Sequence, residues 1–305
     1  MKKNLFFLLI FILFLNNGFS QDTIRRYYDA DWKEVSNKNA AIYFGKFYKD
    51  TNKTWVKKDY YMTSQIQMIG RFKSKKLKVK HGHFIYYHEN GEVSLEGDYV
   101  EGNREGIWKA FYDNKKPKSE GQYANGDYVG HWKFFHENGE LKSEGKYVED
   151  RIHGKWVYYF DNGQVSSMGE YDNGYSIKNW IYYHENGIKK ASGNYKEGEK
   201  IETWNYFYDN GVKQTEEVYE EGKLVSAIGY FKNGSKQFTG VYSNGMAHGE
   251  FKYWNPRGRL IQKGNYDQGK LNGTWERYFK DGKLQLYYED GELLGKKFGG
   301  MVRSQ

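Results

Sequence analysis

The sequence predicts an all-β fold: an elongated, single-layer antiparallel meander of repeated β-hairpins. Three observations predict it. Trp108, Trp132, Trp156, Trp180 and Trp204 fall 24 residues apart without a slip, with Phe84 in the slot before them, and a fixed period in this range marks a repeat architecture. Within each period apolar and polar residues alternate in two runs, the pattern of strands with one covered face. Between the runs stands Asn-Gly or Asp-Gly, at Asn90-Gly91, Asn138-Gly139, Asn162-Gly163, Asn186-Gly187, Asn210-Gly211, Asn233-Gly234 and Asp281-Gly282. That dipeptide is the strongest short-range hairpin signal, because a type I′ turn needs positive φ at both central residues. One repeat is therefore one hairpin.

At the N-terminus Lys2 and Lys3 precede an apolar run from Leu5 to Leu15, followed by small residues at Gly18 and Ser20. This describes a secretory signal over residues 1–20, cleaved before Gln21. The run is too short to span a bilayer. With no cysteine in the chain, a lipoprotein anchor and disulfides are both excluded. The expected location is secreted or periplasmic.

Removing residues 1–20 takes two lysines from the 47 basic residues and leaves the 39 acidic ones, a formal charge of +6. That excess is too mild for a nucleic-acid footprint, so no nucleic acid is expected as a partner. Aromatic residues make up 19% of the chain, 30 of them tyrosines, while the mean hydropathy is −0.95. Such a chain cannot fill a thick aliphatic core. Its aromatic stripes can cover one sheet layer.

Residues 21–81 read as a divergent lead-in. Trp32, Ala40, Ala41, Tyr43, Phe47 and Trp55 suggest one or two strands. From Trp55 a degraded repeat follows, with Tyr60 and Tyr61 as the aromatic pair, Ser64 for the turn glycine, and Gly70 and Phe72 for Gly-x-Tyr. Lys73, Lys75, Lys76, Lys78 and Lys80 then crowd one segment. It reads as a solvated loop or a lysine-protected edge, or else as a docking patch for an anionic membrane surface, a polysaccharide or an acidic partner.

The repeat array runs over 82–298 as nine hairpins, roughly 85 Å along the stack at about 4.8 Å per strand. The glycine that opens each repeat becomes Lys178 and Glu202 in two copies, and one turn glycine becomes Lys115. Trp275 and Phe251 continue the tryptophan row. The last short hairpin, at Asp290-Gly291, leads to Lys296, Lys297 and a 299–305 tail with Arg303, which fits a polar terminal cap. A monomer is expected rather than an obligate oligomer.

Strand parity puts Trp132 and Phe134 on one face and Lys133 and Phe135 on the other. Gly145 on the return strand leaves space for a neighbouring ring, as do Gly97, Gly121, Gly169 and Gly193. The repeat tryptophans, with Trp275, are thus read as structural.

Two stretches carry a family resemblance: Gly240-Val-Tyr242-Ser-Asn-Gly245-Met-Ala-His248-Gly249-Glu-Phe251 and Gly264-Asn-Tyr266-Asp-Gln-Gly269-Lys-Leu-Asn-Gly273-Thr-Trp275. They resemble MORN repeats, and the 24-residue unit with its Tyr-Tyr-x-Glu-Asn-Gly turn is similar to the bacterial MORN-variant family. The resemblance implies an elongated run of antiparallel hairpins and a role in binding or scaffolding. Some bacterial members are labelled antitoxin components.

No P-loop, Gly-x-Ser-x-Gly elbow, His-Glu-x-x-His motif or cysteine nucleophile is present, so no enzyme activity, cofactor or metal is expected. His88, His136 and His184 share one template slot but stand 48 residues apart, roughly 19 Å across four strands. Zinc–nitrogen bonds are about 2 Å long, so the three cannot chelate one ion. His153 and His248 precede the glycine that opens a repeat, where a turn role is the default. Histidine-glutamate before the turn alternates with another aromatic and aspartate, a 48-residue unit. This fits plain duplication, or a spaced row that contacts a repetitive partner. Three functions are compatible with these features: an exported scaffold for a protein or envelope partner, a carbohydrate or polysaccharide binder, and an envelope immunity or antitoxin-like protein.

Overall fold

The computed structural model describes residues 23–300, so the expected leader over 1–20 and Arg303 lie outside the described residues. The described residues form one open sheet of 25 strands with no α-helix. From Tyr43–Lys49 onward each strand pairs antiparallel with the next, ending at Glu292–Gly300, except that Lys236–Ser243 pairs with both Met246–Ala247 and Gly249–Trp254. At the N-terminal end Ile24–Tyr28 pairs with both Glu34–Val35 and Tyr43–Lys49. Contacts between elements are concentrated on sheet neighbours. The predicted single-layer meander is therefore the fold, and the lead-in joins the same sheet.

A single layer must bury its rings against itself, and the tryptophan row does so. Each indole lies over the glycine of the strand before it: a Cβ added at Gly145 would meet the Trp156 ring at 2.3 Å, and one at Gly121 the Trp132 ring at 2.1 Å. Trp108, Trp132, Trp156, Trp180, Trp204 and Trp275 all have at most 3% of their surface exposed. Trp156 Nε1 donates to the Lys146 carbonyl at 3.2 Å, and the other five make the equivalent bond. That carbonyl is free because the ladder is interrupted there. Gly121 faces the three residues 130–132, since Val129 pairs with Gln122 but Lys133 pairs with Glu120.

This interruption corrects the role expected for the glycine that opens each repeat. It makes a β-bulge inside a strand and not a turn, with φ of 67° at Gly130 and 71° at Gly154. Lys178 and Glu202 occupy the same left-handed geometry at 57° and 58°, which costs a residue with a Cβ about 1–2 kcal/mol. Glu202→Gly is accordingly expected to stabilise the array by about 1 kcal/mol in denaturant unfolding, less what is lost with the 2.7 Å bond from Asn194 Nδ2 to the Glu202 carboxylate. No gain would show that the side-chain bond outweighs the backbone strain.

The turns carry a second correction. In the Asn-Gly loops only the glycine has positive φ, 90° at Gly91 and 89° at Gly139. Gly91 N–H donates to the His88 carbonyl and His88 N–H to the Glu92 carbonyl, so the loop has three residues closed by a glycine bulge. Two-residue turns with both φ positive lie at the opposite edge, at Glu101-Gly102 (51° and 91°) and Asn125-Gly126 (52° and 100°). Asparagine is needed in the first set for its side chain, as shown below.

One junction breaks the ring-over-glycine rule by compensation. The template glycine becomes Glu217, and its partner across the strands is Ala227, buried where a tryptophan would lie. A large side chain and a small one have changed places.

In the lead-in, Ser64 takes the positive φ of a turn glycine, 73°, and Phe84 covers Gly70. Beneath these strands sits the buried Asp59, 3.0 Å from Lys57 Nζ and with no hydrogen-bond partner for that Oδ1. At the other end the polar cap is not what forms. The edge strand Glu292–Gly300 leaves Leu293, Leu294 and Phe298 more than half exposed around Lys296 and Lys297.

Candidate functional site

The face that carries the tryptophans is ridged. Next to four of the indoles stands a second aromatic from the same strand, with ring centroids 5.8 Å apart for Trp132 and Phe134, 5.9 Å for both Trp156–Tyr158 and Trp180–Tyr182, and 6.2 Å for Trp204 and Tyr206, while Trp108 and Trp275 have Ala110 and Arg277 in that place. On the other flank the tyrosine of Gly-x-Tyr meets the indole edge-on, as Tyr147 does Trp156 at 5.3 Å and 87°, the arrangement favoured by ring quadrupoles. Tyrosine hydroxyls pair across the strands, Tyr158 with Tyr171 at 3.0 Å and Tyr182 with Tyr195 at 3.3 Å. Burial is the first cause that pushes the phenols of Tyr158, Tyr182 and Tyr206 well above their ordinary value. They stay neutral hydrogen-bonding groups. Positive charge is inlaid between the rings: Arg104 Cζ lies 4.5 Å from the Trp108 ring centroid and Lys200 Nζ 4.8 Å from that of Trp204, a cation–π geometry.

The edge with the Asn-Gly turns is laced to itself. His88 Nε2 lies 2.9 Å from the Phe111 carbonyl, His136 Nε2 3.0 Å from Tyr159 O, and His184 Nε2 2.9 Å from Phe207 O. Since a carbonyl only accepts, Nε2 carries the proton. Tyr112 and Tyr208 fill the alternate slots and donate to Phe135 O and Tyr230 O, both at 2.8 Å. A second row runs beside the first, with Asn90 Nδ2 donating to Asp113 O at 2.8 Å and Asn138 Nδ2 to Asp161 O at 2.6 Å. The 48-residue alternation thus has one physical content: histidine and tyrosine are two ways to place a donor on the next repeat's carbonyl. Phe160 occupies the slot and has no donor.

A cleft of about 460 Å³ opens beside that exception, lined by Phe160, Ser166, Ser167, Lys190, Ala191 and Tyr206 among others. Three local choices create it. Phe160 replaces His or Tyr. Ser166 stands where other repeats have Lys118, Lys142 and Lys190, and Lys118 Nζ lies 5.6 Å from the Tyr112 ring it covers. Ser167 and Ala191 keep the floor low between the Tyr182 and Tyr206 ridges.

A profile of the MORN repeat variant family matches residues 80–101, 104–125, 128–149, 152–173, 247–268 and 271–286. Six hairpins of the array are MORN-variant repeats. No curated protein matches the chain. Among solved structures it is similar to one titled "Crystal Structure of TcdB2-TccC3", at 9% identity and a TM-score of 0.20, over 88% of this chain. The chain spans 18% of that structure's chain, and a TM-score this low carries no argument.

The MORN-variant profile passes over 174–246, the stretch that holds Lys178, Glu202, Glu217 and Ala227. The hairpins continue there all the same. Of the five lysines expected before the MORN-variant array, Lys73, Lys75, Lys76 and Lys78 are exposed beside one another, and Lys80 opens the strand Lys80–Tyr87. The segment between is a loop closed by Leu77 N–H on the Ser74 carbonyl. Lys73 pairs with Glu101, Lys75 Nζ stands 5.9 Å from the Trp55 ring, and Lys80 Nζ is drawn inward to donate to Tyr86 OH at 2.8 Å. Lys76 and Lys78 remain exposed on the loop. Among the described residues no three of His, Asp and Glu gather at one point where they could hold a metal. The back face alternates Glu96, Lys109, Glu120, Lys133 and Glu144 as successive cross-strand partners, which neutralise one another.

Proposed function

We propose that this MORN-variant chain is an exported, non-enzymatic scaffold that holds a protein or envelope partner on its aromatic face. The observation that carries the reading is the ridged face itself. From Phe72 to Tyr206 it is a line of tyrosine and phenylalanine rings in contact with the buried tryptophans, and a second, shorter line runs from Phe238 to Trp275. No second layer of this chain covers it among the described residues. Aromatic side chains offer large contact area at low entropic cost, which suits a binding surface. Export rests on the N-terminal charge and apolar run.

The test is capture of partners from an envelope extract by the chain from Gln21 onward. The joint variant Tyr158→Ala, Tyr182→Ala is expected to lose the captured species, while Lys109→Ala with Lys133→Ala on the back face keeps them. Capture that is lost in the back-face variant and kept in the ridge variant would overturn the assignment of the face.

A further inference from the structure

We infer that the cleft between Phe160 and Tyr206 binds one acidic sugar ring of a carboxylated polysaccharide. The inference rests on the scaffold reading above and gives that face a ligand class. The cleft's volume of about 460 Å³ falls within the roughly 300–1,000 Å³ of small-molecule sites. Its lining is chemically mixed in the way a sugar is. Phe160, Tyr182 and Tyr206 present ring surface to the C–H face of a pyranose. Ser166, Ser167 and the hydroxyl of Tyr195 stand around it as donors and acceptors for hydroxyl groups.

Charge decides for an acidic ring. Lys190 and Lys200 both line the cleft; Lys200 reaches the Glu217 carboxylate only by way of the Tyr206 hydroxyl, which bonds both. Lys200 is held in place by its 2.5 Å bond to Tyr206 OH and by the Trp204, Tyr206 and Tyr219 rings, so a fixed positive charge lines the cleft. Lys190 is exposed on the rim. A carboxylate between them completes charge-assisted hydrogen bonds. No other repeat combines the three openings: the Ser94 copy has Leu95 on the floor, and the Lys118 and Lys142 copies carry the long side chain that covers the slot.

The experiment is calorimetric titration of the chain from Gln21 onward with a galacturonate hexamer, cellohexaose and poly-glutamate. The galacturonate hexamer is expected to bind about tenfold more tightly than the neutral sugar. Ser166→Lys installs the residue that three other repeats carry, so the thermal midpoint should hold while affinity falls at least tenfold. Because that variant adds positive charge, diffuse electrostatic attraction would instead raise the affinity, and that result would overturn the site. Lys190→Gln should shrink the preference for the acidic sugar over the neutral one. Poly-glutamate binding as tight as the uronate, or no uronate binding by the unmodified chain, would also refute it. In the latter case, partner capture that still depends on Tyr158 and Tyr182 leaves the scaffold standing and removes only the sugar.

Discussion

Trp156→Ala should lower the folding free energy by about 3–5 kcal/mol, as removal of a buried aromatic does. The ring is 2% exposed, lies over Gly145, donates to Lys146 O and touches Phe134, Tyr147, Tyr158 and Tyr171. With no second layer among the described residues, little else can move in to fill the space. Because each repeat rests mainly on its neighbours, hydrogen exchange should show the loss concentrated in residues 141–172. Gly145→Ala examines the same contact from below. Its Cβ would stand 2.3 Å from the indole, so it should destabilise the unmodified chain strongly and the Trp156→Ala chain little, a large coupling in a double-mutant cycle. A cost under about half a kcal/mol for Trp156→Ala would mean that the ring is not held, and that the row is free for ligands.

Lys57→Met is expected to destabilise the N-terminal strands by roughly 3–5 kcal/mol, because it leaves a buried carboxylate without its counter-charge. Asp59 is 2% exposed, and Gly45 is glycine because a Cβ there would come within 2.7 Å of its Oδ1. Lys57 Nζ also lies 4.6 Å from the Tyr28 ring centroid. Burial holds the Asp59 carboxyl above its ordinary value, with Lys57 pulling the other way; without the lysine it must rise further. A carboxyl whose folded-state pKa is raised favours the folded state in its protonated form. That contribution is full below the unfolded value and is lost as pH rises through the folded one. The penalty of Lys57→Met should therefore be largest at neutral pH and shrink on acidification, when Asp59 protonates. Amide protection over Tyr43–Tyr61 measured at pH 7 and pH 4.5 reads both effects. A penalty that stays constant across that range would point to lost packing of the lysine stem and away from charge.

The ring-over-glycine core was legible because it depends on spacing alone: Gly145 and Trp156 recur together through the array. The turn geometry was not, since Asn-Gly serves a type I′ turn and a glycine bulge equally well. What decides is the carbonyl of Asp161, 23 residues away, to which Asn138 donates. The bulge glycines had a signal in the sequence. Gly130 sits between two turn pairs, inside what must be a strand, and an extra residue there shifts the alternation. The histidine row had one too, for His136, Tyr112 and Tyr208 share a slot and have a hydrogen-bond donor in common. The cleft required both the repeat alignment that shows Ser166 in a lysine slot and the fold that brings Lys190 and Tyr206 beside Phe160. Only the first is in the chain order.

The exchange of Glu217 and Ala227 reaches beyond packing. Ring contacts run from Phe72 through Trp204 to Tyr206 and resume at Phe238, which leads on to Phe251 and Trp275. Between Tyr206 and Phe238 the backbone ladder continues without that aromatic spine. Cooperativity between repeats passes through the interface each shares with the next, and here that interface lacks ring-to-ring contact. The protein is in this sense two springs joined end to end near Ala227, and that joint is where the halves are expected to uncouple first on unfolding. A partner that grips the ridge on one side of the joint need not feel what happens on the other.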